Sequence, residues 1–199
     1  MNHLYNHPEN TLPNDLQLTL DSHFVSCMII YPKYGTAPVR VIRKSRPDEY
    51  GHQRYYDQLG YIYVLSGHVD ESPYEAPHTA GERRKYFLDK ARELLLDGKN
   101  IVICPEGRNI ATKDSPLPFK AGAFRLAAYV RPEPLIVPIA VANFDEKLTR
   151  TTLSAIVHPP FRLSDYVPEP VEDQQLFNFI NSYQKQYQQY VQQAIALTQ

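Results

Sequence analysis

Apolar residues in this chain fall into two kinds of run that take turns. Short runs at 39–42, 60–65, 101–104 and 134–141 are dense in Val, Ile and Leu, the pattern of buried or half-buried strands. Between and after them lie segments with helical spacing. Residues 82–97 place Phe87, Ala91, Leu94 and Leu95 on one face, and Gly98 stands where a helix cap belongs. Residues 119–130 open an Ala-rich helix. Residues 174–197 carry Leu176, Ile180, Tyr183, Tyr187, Tyr190, Val191 and Ala194 along one stripe, which predicts a helix packed on the protein's own sheet. An earlier apolar segment, 16–31, reads as a helix, although 25–30 fits a strand equally well; Pro32, Gly35 and Pro38 break it. Residues 45–58 are polar and Tyr-rich, a short helix or a loop, and 153–157 reads as a strand. This alternation predicts an α/β fold: a single domain over 1–199 with a mixed, mainly parallel sheet. Its strands are expected near 39–43, 60–65, 101–104 and 135–141, with flanking helices near 82–97 and 119–130.

Composition narrows the picture. A chain of 199 residues, 43% hydrophobic and 22% charged, is globular and large enough to bury one core. Its formal net charge of -1 lacks the basic excess of a nucleic-acid protein and of a polybasic membrane anchor. No run of about 18 apolar residues predicts a transmembrane helix. The polar first fifteen or so residues resemble neither a signal nor a transit peptide. Cys27 and Cys104 lie in separate apolar segments outside any CxxC pair, which predicts two buried thiols in a reducing, cytosolic compartment. The motifs of serine hydrolases, dinucleotide enzymes, P-loop proteins and zinc enzymes are missing, so no metal and no resident cofactor is expected.

The candidate chemistry concentrates in 100–144. Pro105-Glu106-Gly107-Arg108 stands where the strand from Ile101 should stop, and Phe119-Lys120 opens the helix that follows. In an open α/β sheet, ligands bind at the carboxyl ends of the strands. Arg108 and Lys120 can grip a phosphate or another anion, Arg by paired hydrogen bonds and Lys as a point charge. Glu106 can accept from a substrate hydroxyl or orient Arg108, and Gly107 lets the backbone approach a ligand closely.

Three blocks in order, Cys104-Pro105-Glu106-Gly107-Arg108-Asn109, Phe119-Lys120-Ala121-Gly122-Ala123-Phe124 and Leu135-Ile136-Val137-Pro138-Ile139, resemble the glycerolipid acyltransferases. That family carries Pro-Glu-Gly-Thr-Arg-Ser, Phe-Lys-x-Gly and Ile-Val-Pro blocks in this order. Here the Thr is missing, so Arg108 directly follows Gly107. Residues 60–65 resemble another family block, with Ser66 and Gly67 where the family has Arg. The resemblance spans about 2–162 and is strongest at 100–144.

The resemblance implies a glycerol-3-phosphate acyltransferase-like fold. It also implies transfer of a fatty acyl group from acyl-CoA or acyl carrier protein to a glycerol-phosphate or lysophospholipid-type hydroxyl. Peripheral contact with the inner membrane face belongs to the same expectation. It places the general base at the family's His-x4-Asp motif. A histidine suits that work because its unperturbed pKa is about 6.5, and a neighbouring Asp holds its tautomer. Asn6-His7-Pro8 stands ahead of every other block, so His7 is the expected base, with Asp15 its preferred partner and Asp21 the alternative. His52 and Asp57 have the literal spacing but stand out of order. The competing reading is a non-catalytic lipid- or protein-binding relative with a degenerate site.

Overall fold

The computed structural model describes residues 1–5, 7–10, 19–43, 50–64 and 79–199, the side chains of 50–53 excepted. In chain order it contains α1 (Leu20–Phe24), a π-helical segment (Val25–Ile30), α2 (Tyr31–Tyr34), β1 (Val39–Arg43), α3 (Tyr50–Gln58) and β2 (Ile62–Val64). Then follow α4 (Ala80–Leu96), β3 (Ile101–Val102), α5 (Gly122–Tyr129), β4 (Ile139–Ala142), β5 (Ser154–Val157) and α6 (Asp173–Ala196). These residues form two compact units, 30–103 and 1–29 with 104–199.

The first unit, 30–103, is a three-stranded parallel sheet in the order β2-β1-β3, with Val41 opposite Ile62 and Val39 opposite Ile101. Parallel neighbours need crossover connections, and α3 and α4 lie in those connections. The expected helix at 82–97 starts two residues early because Thr79 caps it. The Thr79 hydroxyl accepts the Glu82 N–H at 3.1 Å, and the Glu82 carboxylate accepts the Thr79 N–H at 2.9 Å. At the other end Gly98, with φ +75°, donates to the Leu95 carbonyl while Lys99 donates to that of Leu94, closing the helix as its sequence predicts. Ala91 is fully buried, whereas Arg84 and Lys85 face solvent. Of the strand expected over 101–104, Ile101 and Val102 pair with β1 among the described residues, and the Cys104 carbonyl accepts the Gly107 N–H.

The second unit holds β4 and β5 as an antiparallel pair, Ile139 opposite Val157 and Ala142 opposite Ser154. The run at 134–141 is therefore not one strand of the parallel sheet. Pro138, which has no N–H to give, separates β4 from an isolated pairing of Ile136 with Phe161. α6 covers β4 and β5, with Leu176, Ile180, Tyr183, Tyr187, Val191 and Ala194 buried, as the stripe predicts. Phe119 and Phe124 join the same core, edge-on to Tyr187 and Tyr183 respectively. His158 is a core residue as well: its ring stacks on Tyr190 at 3.6 Å, and burial holds its pKa below the usual histidine range. The ambiguous segment at 16–31 is helical from Leu20. Where α1 gives way to the π segment, the Ser26 hydroxyl donates back to the Ser22 carbonyl at 2.7 Å.

Candidate active site

Backbone pairing near the amino terminus places the first functional side chain. Tyr5 donates to the Ile110 carbonyl at 3.0 Å, and Ile110 donates to the His3 carbonyl at 3.1 Å, so residues 3–5 run parallel to the chain just past the Pro105–Arg108 turn. His3 Nδ1 lies 2.6 Å from Asp21 Oδ2. Asp21, in the first turn of α1, is 0% exposed. Its Oδ2 also accepts the Leu4 N–H at 2.9 Å, and its Oδ1 accepts the Ser22 N–H and hydroxyl at 2.6 and 3.1 Å. These donors help to satisfy the buried carboxylate. With a carboxylate against Nδ1, the ring carries its proton there, which leaves Nε2 as the basic nitrogen. The His3 side chain is 18% exposed, so solvent or a ligand reaches the ring.

The second group stands on the turn itself. Glu106 is 2% exposed; its Oε1 accepts the Ser115 hydroxyl at 3.2 Å, and its Oε2 has no hydrogen-bond partner among the described residues. Burial pushes its pKa up to about 7. Hydrogen bonds from the Leu117 backbone and Ser115, and the charges of the Met1 amine and His3, pull the other way. Gly107 follows with φ +71°, and the Lys120 N–H donates to the Pro105 carbonyl at 2.8 Å, fastening the Phe-Lys block to the Pro-Glu-Gly turn. The Lys120 stem crosses directly over Gly107: a Cβ there would fall 2.8 Å from both Cε and Nζ. Arg108, next on the turn, is exposed and has no ion-pair partner among the described residues.

Residues 57–142 match the family model described as Acyltransferase. Over that stretch the chain is similar to the glycerolipid acyltransferases. No curated protein and no solved structure matches it. The acyltransferase match includes Glu106, Gly107, Arg108 and Lys120; His3 and Asp21 lie ahead of it. Among the described residues, no helix is long and apolar enough to cross a membrane.

His3 faces a buried carboxylate, that of Asp21, the alternative partner in the sequence. His7 lies beyond the pairing with Ile110, and its Nδ1 accepts the Glu9 N–H at 3.1 Å instead. Asp15 falls outside the described residues. His52 is on α3, and Asp57 accepts the Tyr63 hydroxyl at 2.6 Å. Sequence reasoning missed His3 and Asn2, although Asn2-His3 is itself an Asn-His pair four residues ahead of Asn6-His7. The contact from His3 to Asp21 spans 18 positions, and local spacing gives no sign of it.

Gly107 provides a direct test of the Lys120 contact. Gly107→Ala is expected to cost about 1 kcal/mol in denaturant unfolding, since an L-residue is strained at that φ. Its Cβ also displaces the Lys120 ammonium, so affinity for inorganic phosphate, read by calorimetry, should fall. Unchanged phosphate affinity would show that Lys120 holds no anion at this turn.

Proposed function

We propose that the protein transfers a fatty acyl group from acyl-CoA or acyl carrier protein to the hydroxyl of a glycerol-phosphate or lysophospholipid-type acceptor. The observation that carries this reading is the His3–Asp21 pair, held 2.6 Å apart on the segment that pairs with Ile110 just past the Pro-Glu-Gly turn of the buried Glu106. His3 Nε2 takes the acceptor's hydroxyl proton as its oxygen attacks the thioester carbonyl carbon. Asp21 steadies the imidazolium that results. The tetrahedral intermediate then expels the thiolate, which receives the proton from His3, giving ester and free thiol with no acyl-enzyme. Glu106 Oε2 accepts from a hydroxyl of the acceptor, and Arg108 and Lys120 hold its anionic group. A degenerate, non-catalytic relative has no need to keep a fully buried carboxylate against a solvent-reachable imidazole. Work on lipid acceptors fits a cytosolic protein that touches the membrane at its periphery.

Release of free thiol from an acyl thioester, measured across glycerol-phosphate and lysophospholipid acceptors, tests the reading. Arg108→Ala should raise KM for a phosphorylated acceptor about tenfold or more, the usual effect of losing a charge-assisted pair. An unchanged KM removes Arg108 from anion binding, and no acceptor-dependent thiol release at all would favour the non-catalytic reading.

A further inference from the structure

Behind Glu106 lies a chain of hydrogen bonds whose direction is forced at each step. Asn2 is fully buried beside β4; its Oδ1 accepts the Val141 N–H at 2.8 Å. The Nδ2 group therefore faces the remaining partners, and it donates to the Val141 carbonyl at 2.8 Å and to Ser115 Oγ at 3.1 Å. Both Nδ2 hydrogens are then used. The Asn2 N–H donates to the Tyr187 hydroxyl at 2.8 Å, which in turn donates to the Ile139 carbonyl, so the residue is locked on both sides. Ser115 has one hydrogen to give. With Asn2 donating to its oxygen, that hydrogen goes to Glu106 Oε1 at 3.2 Å. Oε1 is thus occupied as an acceptor, while Oε2 is buried without a partner among the described residues.

We propose that Ser115 is a positioning residue for Glu106, oriented by Asn2, and that it confines the proton and the ligand contact of Glu106 to Oε2. The acyl-transfer consequence rests on the reading above, in which Oε2 accepts from the acceptor hydroxyl; the orientation of Glu106 does not. A hydroxyl donating to Oε1 favours the carboxylate over the acid, so it joins the Leu117 backbone hydrogen bond in opposing the burial that raises the Glu106 pKa. The other charges acting on Glu106 are the Met1 amine and His3, and both favour the carboxylate. Neither is touched by a change at Ser115. Burial pushes up the pKa of the Tyr187 hydroxyl, and the charge of Glu106 adds to that rise.

The test is the Glu106 titration midpoint in the full chain, followed by the carbon-13 shift of its side-chain carboxyl and assigned by comparison with Glu106→Gln. The wild-type midpoint should lie near 7. In Ser115→Ala it should rise by about one pH unit, as loss of a hydrogen bond to a charged group requires. Ser115→Cys, with a weak S–H donor in nearly the same volume, should fall between the two. A midpoint in Ser115→Ala equal to that of the wild type overturns the proposal. A merely structural role for Ser115 would lower the melting temperature without moving this midpoint. The pH profile of kcat/KM for acyl transfer separates the two readings. If its acid limb follows the carboxyl midpoint through the series, both stand. If the midpoint moves and the limb does not, Glu106 is tuned by Ser115 but takes no part in acyl transfer.

Discussion

His3→Ala should lower acyl transfer by about 10²-fold or more, while His7→Ala should leave it near the wild-type rate. The contrast follows from what each ring touches. His3 has its Nδ1 against the buried carboxylate of Asp21, which fixes the tautomer, and an exposed edge through which Nε2 can reach a substrate. His7 has its Nδ1 engaged by the Glu9 amide. Removing the His3 ring leaves the Leu4 and Ser22 donors on Asp21, so the carboxylate stays largely satisfied and the variant should fold. His3→Gln keeps a polar group near Asp21 but no base, and should be as slow as His3→Ala. The effect belongs in kcat rather than KM, because the proton moves only as the hydroxyl attacks. Loss of activity in His7→Ala with retention in His3→Ala would return the base to the position the Asn-His-Pro motif first indicated. Full activity in both would end histidine base catalysis for this protein.

Glu106→Gln should make the protein more stable at neutral and alkaline pH while impairing its activity. The folded-state pKa of Glu106, about 7, stands above the ordinary glutamate value of 4.5 because of burial. For an acid shifted upward, the folded state holds its proton to higher pH than the unfolded chain does. Stability from this group is therefore fully present below pH 4.5 and falls as pH rises through 7. The shift corresponds to a loss on the order of 3 kcal/mol above that window. Glutamine in the same place has no charge to desolvate. Its unfolding free energy, measured by urea denaturation between pH 5 and 9, should vary less than the wild type's over this window. Its acyl transfer should drop, since the charged Oε2 is gone. Parallel pH curves for the two proteins would mean that Glu106 is not held protonated by burial. A buried, partly satisfied carboxylate that costs stability is the kind of feature functional sites retain.

Local pattern alone determined much of this protein. The β1 strand, α4 with its Gly98 closure, and the buried stripe of α6 all follow from residues within a few positions of one another, where propensity, capping and periodicity act. The Pro105–Arg108 turn and the Lys120 block were legible for the same reason. Tertiary structure decided the rest. Pro138 and the pairing with β5 set where β4 begins, because strand ends depend on which carbonyls find partners. The hydrogen bonds behind Glu106, running through Ser115 and Asn2 to Tyr187, join residues that lie far from one another in the chain. Most telling is the choice between two Asn-His pairs four residues apart. Either fits the chain order, and only the parallel pairing of residues 3–5 with Ile110 puts one ring against Asp21. Long-range contacts are made by backbone geometry and packing across the fold, and spacing along the chain carries no record of them.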